Sequence, residues 1–525
     1  MRSVSSCFSF VFACGLLVTG TTAQVDWWQS TVLYQIYPRS FMDSNGDGIG
    51  DLNGIASQLD HFVEIGVGTI WLSPIYKSPM ADFGYDISNF TDVDPLFGTL
   101  EDFDNLVAEA KARGLRVVLD FVPNHSSDEH DWFVRSVARE DPYTDYYVWH
   151  DAIGTDDEGN PIPPSNWLSV FRFSAWEWNE ERQQFYLHQF LTKQPDLNFF
   201  NEAVIKEFDD IILFWLDRGV DGLRCDAVKH MAEVQDLTMN EPPSGIDGVT
   251  DPTDYAFLDH IYTTNQDKTY EVLRHWRQLL DDYSAFNGET KVMITEVYEG
   301  DVDKLMAYYG TEDEPIAHFT FNFKFIDYLT GDLTAGKVRD AIANWLDNMP
   351  SWGWANWVPC CTNEQIGNHD NHRVASRFGS EVIDAINMLV QLLPGTAVTY
   401  YGEEIGMEDT FITWEQTQDP FGCNFGPEGY MNVSRDPERT PMQWTGERPN
   451  AGFSAAPDGA TWLPVNENSY ELDLNVAAQR GVPGSHMSVY GTLTALRNEN
   501  AVIQTGLLLV PEELNDEFIL TLIRY

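Results

Sequence analysis

From residue 30 onward, short runs of β-branched and aromatic residues alternate with longer segments whose apolar residues recur at the helical period. Val32 to Tyr37 reads as a strand and Leu52 to Ile65 as a helix, Thr69 to Leu72 precedes Leu100 to Arg113, and Val117 to Phe121 follows. The rhythm resumes with helical Ala203 to Arg218 before Gly222 to Asp226, and helical Tyr270 to Tyr283 before Val292 to Val297. Helical Lys337 to Asn348 and Ile383 to Leu392 then precede Thr396 to Tyr401. Apolar strands separated by amphipathic helices predict a parallel sheet covered by those helices. About eight such pairs in a chain of 525 residues fit a closed (β/α)8 TIM barrel of the α/β class better than an open sheet.

Residues 126–195 break the rhythm and are rich in Trp, Pro and Asp, so they read as a subdomain inserted after the third strand. The barrel is therefore expected over 24–125 and 196–498, with a short C-terminal β region at 499–525. The first 23 residues differ from all of these. Arg2, the apolar run Phe8 to Val18 and the small residues Gly20 to Ala23 form a secretory signal peptide pattern, too short to span a bilayer. A secreted, extracellular chain follows, with a digestive lumen as a plausible destination. Outside that leader four cysteines remain, Cys225, Cys360, Cys361 and Cys423, which an oxidising compartment allows to pair in three ways. Sequons stand at Asn89, Asn124 and Asn432. A net charge of -51 repels phosphate backbones and anionic lipid, so nucleic acid and membrane surfaces are poor partners.

In a parallel barrel, working residues sit where strands end and loops begin. Val117 to Asp120 runs into Phe121-Val122-Pro123-Asn124-His125, and Asn124 is expected to be buried there and unglycosylated. Arg224 and Asp226 lie two apart, on one face of a strand. Val292 to Thr295 ends in Glu296, and Gly367-Asn368 ends in His369 and Asp370. Three carboxylates at one mouth are what acetal hydrolysis uses: a nucleophile, a general acid and a group that binds the sugar. Separately, Asp43 to Asp51 alternates oxygen-bearing side chains along a Gly-rich turn, as hard cations prefer. Gly54 stands where an EF-hand has its bidentate Glu, so the loop is either a cation site of another kind or a metal-free Asx-turn loop. Gly331 to Lys337 imitates a phosphate loop until Val338, which has no hydroxyl for magnesium.

These strand ends resemble the ordered regions of glycoside hydrolase family 13, the α-amylase superfamily, and within it the animal, especially insect, maltases and α-glucosidases. The resemblance runs from Asp26 to about Asn498. Its most specific stretches are Asp26-Trp27-Trp28 with Tyr34 to Phe41, Gly84-Tyr85-Asp86-Ile87, and Arg435 to Trp444.

The resemblance implies a retaining, exo-acting α-glucosidase acting on oligosaccharides. Asp226 would be the nucleophile, Glu296 the general acid and base, and Asp370 the transition-state stabiliser. Arg224, His125 and His369 would hold these groups and the sugar, Tyr85 would lie under the sugar ring, and Asp86 with Arg439 would close the far side of the pocket. Ala227, after the nucleophile, would favour α-1,4 maltose-type or sucrose-type substrates over α-1,6 ones. Asp43, Asn45, Asp47, Ile49 and Asp51 would ligate a structural calcium, and no organic cofactor is expected. The chain departs from the family pattern in two places. Pro359 to Gln365 is interposed before Ile366, either as a bulged loop clamped by a disulfide or as an error of the gene model. The family's sizeable C-terminal β domain is represented by a remnant that reads as truncated. Three other functions share the fold: a silent binding or receptor protein, an amino-acid-transporter heavy chain, which would be expected to carry a transmembrane helix, and a transglucosylase working through the same glucosyl-enzyme.

Overall fold

The alternation wraps into one sheet of eight parallel strands in the computed structural model, which describes residues 25–325, 333–357 and 368–525. In chain order the barrel strands are β1 (Val32–Ile36), β2 (Thr69–Leu72), β3 (Arg116–Phe121), β4 (Gly222–Cys225), β5 (Val292–Thr295), β6 (Phe319–Thr320), β7 (Asn356–Trp357) and β8 (Thr396–Tyr400). Each pairs with its sequence neighbour except β6 with β7, and β8 returns to β1 with Val32 opposite Ala397. At the remaining joint the Asn356 side chain bridges the gap. Asn356 Nδ2 donates to the Thr320 carbonyl at 2.6 Å while its Oδ1 accepts the Asn322 N–H at 3.0 Å. Every residue of β1, β2, β4, β5 and β8 is buried, as expected of strands covered on both faces.

The covering helices follow their sequence signals closely. Leu100–Ala112 opens with a capping box in which Thr99 and Asp102 satisfy each other's amides, and it buries Phe103, Leu106, Val107 and Ala110 along one stripe. Glu202–Asp217 buries Phe208, Ile211, Ile212 and Trp215 against the barrel, with the Trp215 indole N–H on the Phe90 carbonyl. Each such side chain contributes about 1.5–3 kcal/mol by leaving water. The expected helix Leu52 to Ile65 is instead two, Leu52–Ser57 and Leu59–Glu64, broken at Gln58. Thr334 accepts the Lys337 N–H as an ordinary N-cap of helix Ala335–Asn348. Gly331 and Asp332 lie outside the described residues.

Residues 126–195 leave and rejoin the barrel at one point, where His125 bridges Asp196 and the Leu197 N–H donates to the Asn124 carbonyl. Between these ends lie a helix, Asp131–Val137, and an antiparallel sheet of Trp149–His150, Gln184–Leu187 and Trp176–Asn179. A separate core of Val148, Trp167, Ala175, Trp176, Phe185 and Leu187 supports that sheet. Residues 501–525 add a short helix and one two-stranded pairing of Leu508–Leu509 with Ile523–Arg524. Among the described residues no helix is long and apolar enough to cross a membrane. The signal pattern, the Pro359–Gln365 insertion, Cys360 and Cys361 lie outside the described residues. Cys225 is buried and Cys423 exposed, and neither forms a disulfide among the described residues.

Candidate active site

The C-terminal ends of β3, β4 and β5 set three acidic side chains around one guanidinium. The Asp226 N–H donates to the Phe121 carbonyl and the Glu296 N–H to the Cys225 carbonyl, so both residues continue the ladder one step past their strands. Arg224, two residues before Asp226, shares its face. Its Nη1 lies 2.6 Å from Asp120 Oδ1 and 2.6 Å from Asp226 Oδ1, and its Nη2 lies 2.6 Å from Glu296 Oε1. The guanidinium is 1% exposed and its carbon sits 5.1 Å from the Trp71 ring centre. The Ala227 N–H donates to the other Glu296 oxygen at 3.0 Å.

One positive charge serves three carboxylates, so the cluster retains protons. Burial raises Glu296, with Arg224 opposing and Asp370 adding to the rise. Burial likewise raises Asp226, against Arg224 and assisted by the charges of Glu296 and Asp120. Asp120 is pushed up to about 6 by its burial, which outweighs Arg224. Protonating Glu296 removes one of the repulsions acting on Asp226. A proton on the first and a charge on the second therefore support each other, and the group titrates as a unit.

Asp370 stands on the opposite side. Its Oδ1 lies 2.9 Å from Arg439 Nη2 and 3.3 Å from Arg435 Nη1, and its Oδ2 lies 3.2 Å from His369 Nε2. Burial works to raise this carboxyl, but His369 and the two guanidinium groups outweigh it and hold it well below the usual range. Gln35 Nε2 donates to His369 Nδ1 at 2.8 Å, which puts the imidazole proton on Nε2, facing Asp370 and, at 2.5 Å, the Tyr85 hydroxyl. Burial pushes this imidazole well below its usual range, against the opposing pull of Asp370. Tyr85 OH donates in turn to Asp120 Oδ2 at 3.1 Å. His125 Nε2 is within 3.1 Å of the Tyr85 carbonyl and 3.0 Å of Gln194 Nε2, and burial pushes its pKa down to about 3. Asn124, whose amide reaches Asp196 Oδ1, is 1% exposed, while Asn89 is half-buried and Asn432 exposed.

Asp226, Glu296, Asp370, His369, Tyr85 and His125 face a cavity of about 370 Å³. Phe171 and Phe190 of the inserted region, together with Tyr298, Phe421 and Val433, give it apolar walls. Ala227 also lines it, in a left-handed conformation with φ 47°.

The expected pairing of Asp86 with Arg439 is not what the structure contains. Asp86 is fully buried and accepts from the Ser78 hydroxyl and the Ala81 and Asp82 amides, at 2.8 to 2.9 Å, so its charge is consumed in shaping the turn. Arg439 supports His369 and Asp370 from behind, through the His369 carbonyl and Asp370 Oδ1. The pair that reaches the cavity is Asp82 with Arg435, 2.8 Å apart, each four residues earlier than expected. Asp419 holds Arg435 from the other side at 2.6 Å. Phe83 at φ 48° and Gly84 at φ 111° invert the chain between Asp82 and Tyr85, which brings both to the cavity.

In the loop of residues 43–51, Asp43 Oδ1 accepts the Asn45 and Gly46 amides, Asn45 accepts Asp47 N–H, and Asp47 accepts Ile49 N–H. Asp51 accepts from both the amide and the hydroxyl of Ser44 and caps the following helix. The loop thus holds its turns by its own hydrogen bonds, with hard oxygen donors at alternate positions.

A family model described as Alpha amylase, catalytic domain, matches residues 35–506. The chain is 52% identical over 485 residues to Maltase 1 of Drosophila virilis, covering 92% of this chain and 74% of that one. It is 47% identical to the Salivary alpha-glucosidase of Anopheles gambiae, covering 92% and 80% of the two chains. Among solved structures, the alpha-glucosyl transfer enzyme XgtA superposes with a TM-score of 0.84 at 37% identity, over 96% of this chain and 89% of that one.

Proposed function

The chain belongs to the α-amylase family and is a glycoside hydrolase, and from that premise we propose that it is a secreted, retaining α-glucosidase. In this reading it releases α-glucose from the non-reducing end of α-1,4-linked maltose-type oligosaccharides and of sucrose. The observation that carries the reading is the shared guanidinium of Arg224, whose two terminal nitrogens each hold one carboxylate, Asp226 and Glu296, at 2.6 Å and so keep the pair close together. A double displacement uses carboxyls about 5–5.5 Å apart, whereas an inverting pair stands about 6.5–9.5 Å apart to admit water between them and the sugar.

The steps follow from the protonation pattern. Glu296 gives its proton to the glycosidic oxygen as that bond to the anomeric carbon breaks. An Asp226 oxygen forms a bond to the same carbon, giving a covalent glucosyl-enzyme. Glu296, now ionised, takes a proton from water, whose oxygen attacks that carbon and releases Asp226. Asp370, kept anionic by Arg439 and Arg435, accepts hydrogen bonds from sugar hydroxyls as positive charge develops on the ring. Asp82 and Arg435 bind the terminal glucose and close its side of the cavity, which supports action from a chain end. The small Ala227 leaves room for an α-1,4-linked neighbour.

The Salivary alpha-glucosidase relative and the N-terminal signal pattern support secretion. Calcium is the ion proposed for Asp43, Asn45, Asp47 and Asp51 with the Ile49 carbonyl, because the donor set is all hard oxygen and the loop already holds its turns. It would fasten the segment between β1 and the first barrel helix. A second reading, glucosyl transfer from the same intermediate to a sugar acceptor, draws on the likeness to XgtA. Incubation with maltotriose separates the readings. Hydrolysis from the end yields glucose and maltose in equal amounts at early times; early tetrasaccharide marks transfer, and absence of any cleavage refutes both.

A further inference from the structure

Beside the cavity, and outside the machinery described above, the structure assembles a second group of ligand-type side chains. His372, two residues past Asp370, places Nδ1 2.9 Å from Asp409 Oδ2 and 3.4 Å from Glu438 Oε2. One donor atom from each residue lies within 4.8 Å of the other two.

Glu438 is 0% exposed, and neither of its carboxylate oxygens has a hydrogen-bond partner among the described residues. His372 Nδ1, although close, makes no directed hydrogen bond. The neighbouring guanidinium groups make no hydrogen bond to the Glu438 carboxylate. Arg373 donates to the Tyr401 and Glu438 carbonyls, and Arg439 to the His369 carbonyl and Asp370. Asp409 uses Oδ1 for the Arg373 N–H and leaves Oδ2 facing the group. The imidazole is thus the one charge partner that the group itself offers Glu438, and a buried carboxylate met without a directed hydrogen bond is completed better by a cation that all three side chains can bind.

We propose that His372, Asp409 and Glu438 bind a divalent transition-metal ion of the zinc type. One imidazole nitrogen with two carboxylate oxygens is a donor set that zinc accepts, and calcium does not take imidazole. Bonds of about 2.0–2.1 Å in a tetrahedron separate their donors by about 3.3 Å, close to the spacings found here. His372 is half-exposed, which gives the ion a path in and water the fourth position. The ion would tie the segment carrying His369 and Asp370 to the one carrying Arg439, so its role is to position Asp370.

The test is zinc titration of the chelator-treated full chain in saturating calcium, which occupies the 43–51 loop, followed by metal analysis after gel filtration. One equivalent of zinc is expected to stay with the wild type and raise its thermal midpoint by several degrees. His372→Gln and Glu438→Gln should retain none and show no shift; Asp409→Asn, at a partly exposed position, replaces Glu438→Gln if that variant does not fold. Cobalt in place of zinc should give visible absorption bands in the wild type alone. A wild type that keeps no zinc, or variants that keep the same equivalent, would overturn the proposal.

Discussion

Asp82 Oδ1 meets Arg435 Nη2 at 2.8 Å, joining the loop after β2 to the segment that follows β8 across the mouth of the barrel. Asp86, four residues on, is also a carboxylate but is turned into its own turn. The two carboxylates therefore separate by experiment. Asp82→Asn should lower kcat/KM for maltose by roughly 10²-fold, the scale of one charge-assisted hydrogen bond of about 3 kcal/mol, with little change in stability. Asp86→Asn should do the reverse, reducing unfolding free energy by about 1–3 kcal/mol while the folded enzyme keeps most of its turnover. Steady-state kinetics beside urea unfolding reads both, and equal kinetic losses would remove Asp82 from the binding site.

The pH dependence follows from the Arg224 cluster. Glu296 is raised by burial and must carry a proton to act, so activity should fall as pH rises through the upper transition. Asp226 must be ionised, so activity should also fall on the acid side, and the two limbs belong to the cluster jointly. With an aryl glucoside whose leaving group needs no proton, Glu296→Gln should lose the alkaline limb of the glycosylation step. Persistence of that limb in the variant would assign it to another group.

Ala227 combines φ 47° with an N–H donated to Glu296. A β-branched residue is strongly disfavoured at positive φ. Ala227→Val is thus expected to lower kcat/KM on maltose at least tenfold and to shift the maltose to isomaltose ratio toward isomaltose, whereas Ala227→Gly should stay within a few-fold of wild type. Kinetics on the two disaccharides checks this, and an unaltered ratio in the valine variant would show that the residue does not face the aglycone.

If calcium fills the loop at 43–51, chelation should lower the thermal midpoint and added calcium should restore it, since a ligand of the native state stabilises by mass action. Asp47→Asn should reduce the response to calcium while leaving the zinc response at His372 intact. A midpoint indifferent to chelator in calcium-free buffer would leave the loop an Asx-turn structure held by its own amides.

Strands β1 to β5 and β8 are legible because each is a short, mostly apolar run of four to six residues set between helical segments. Strand β6 is two residues long and β7 is described over two, too short for any period, and among the described residues β7 is joined to β6 by the Asn356 side chain rather than by a ladder. Arg224 and Asp226 were readable from their spacing of two, since a strand fixes which face each residue takes. Asp82 and Arg435 were not. Their segments each contain two like-charged residues four apart, and only the reversal at Phe83 and Gly84 and the hold of Asp419 on Arg435 decide which one faces the cavity. Asp120, which completes the Arg224 cluster, reads in sequence as one more strand residue until its neighbour β4 is placed. The metal-type group at His372 draws on three segments whose proximity exists only in the folded chain.

The central claim is that Asp226 and Glu296 act in two displacements at one carbon. It is tested most directly by following the anomers of glucose released from maltose with time-resolved proton NMR, using enzyme in enough excess that release outruns mutarotation. The account predicts that α-glucose appears first, and that Asp226→Asn, folded as judged by its thermal midpoint, releases none. First appearance of β-glucose, or undiminished release by the variant, would contradict it.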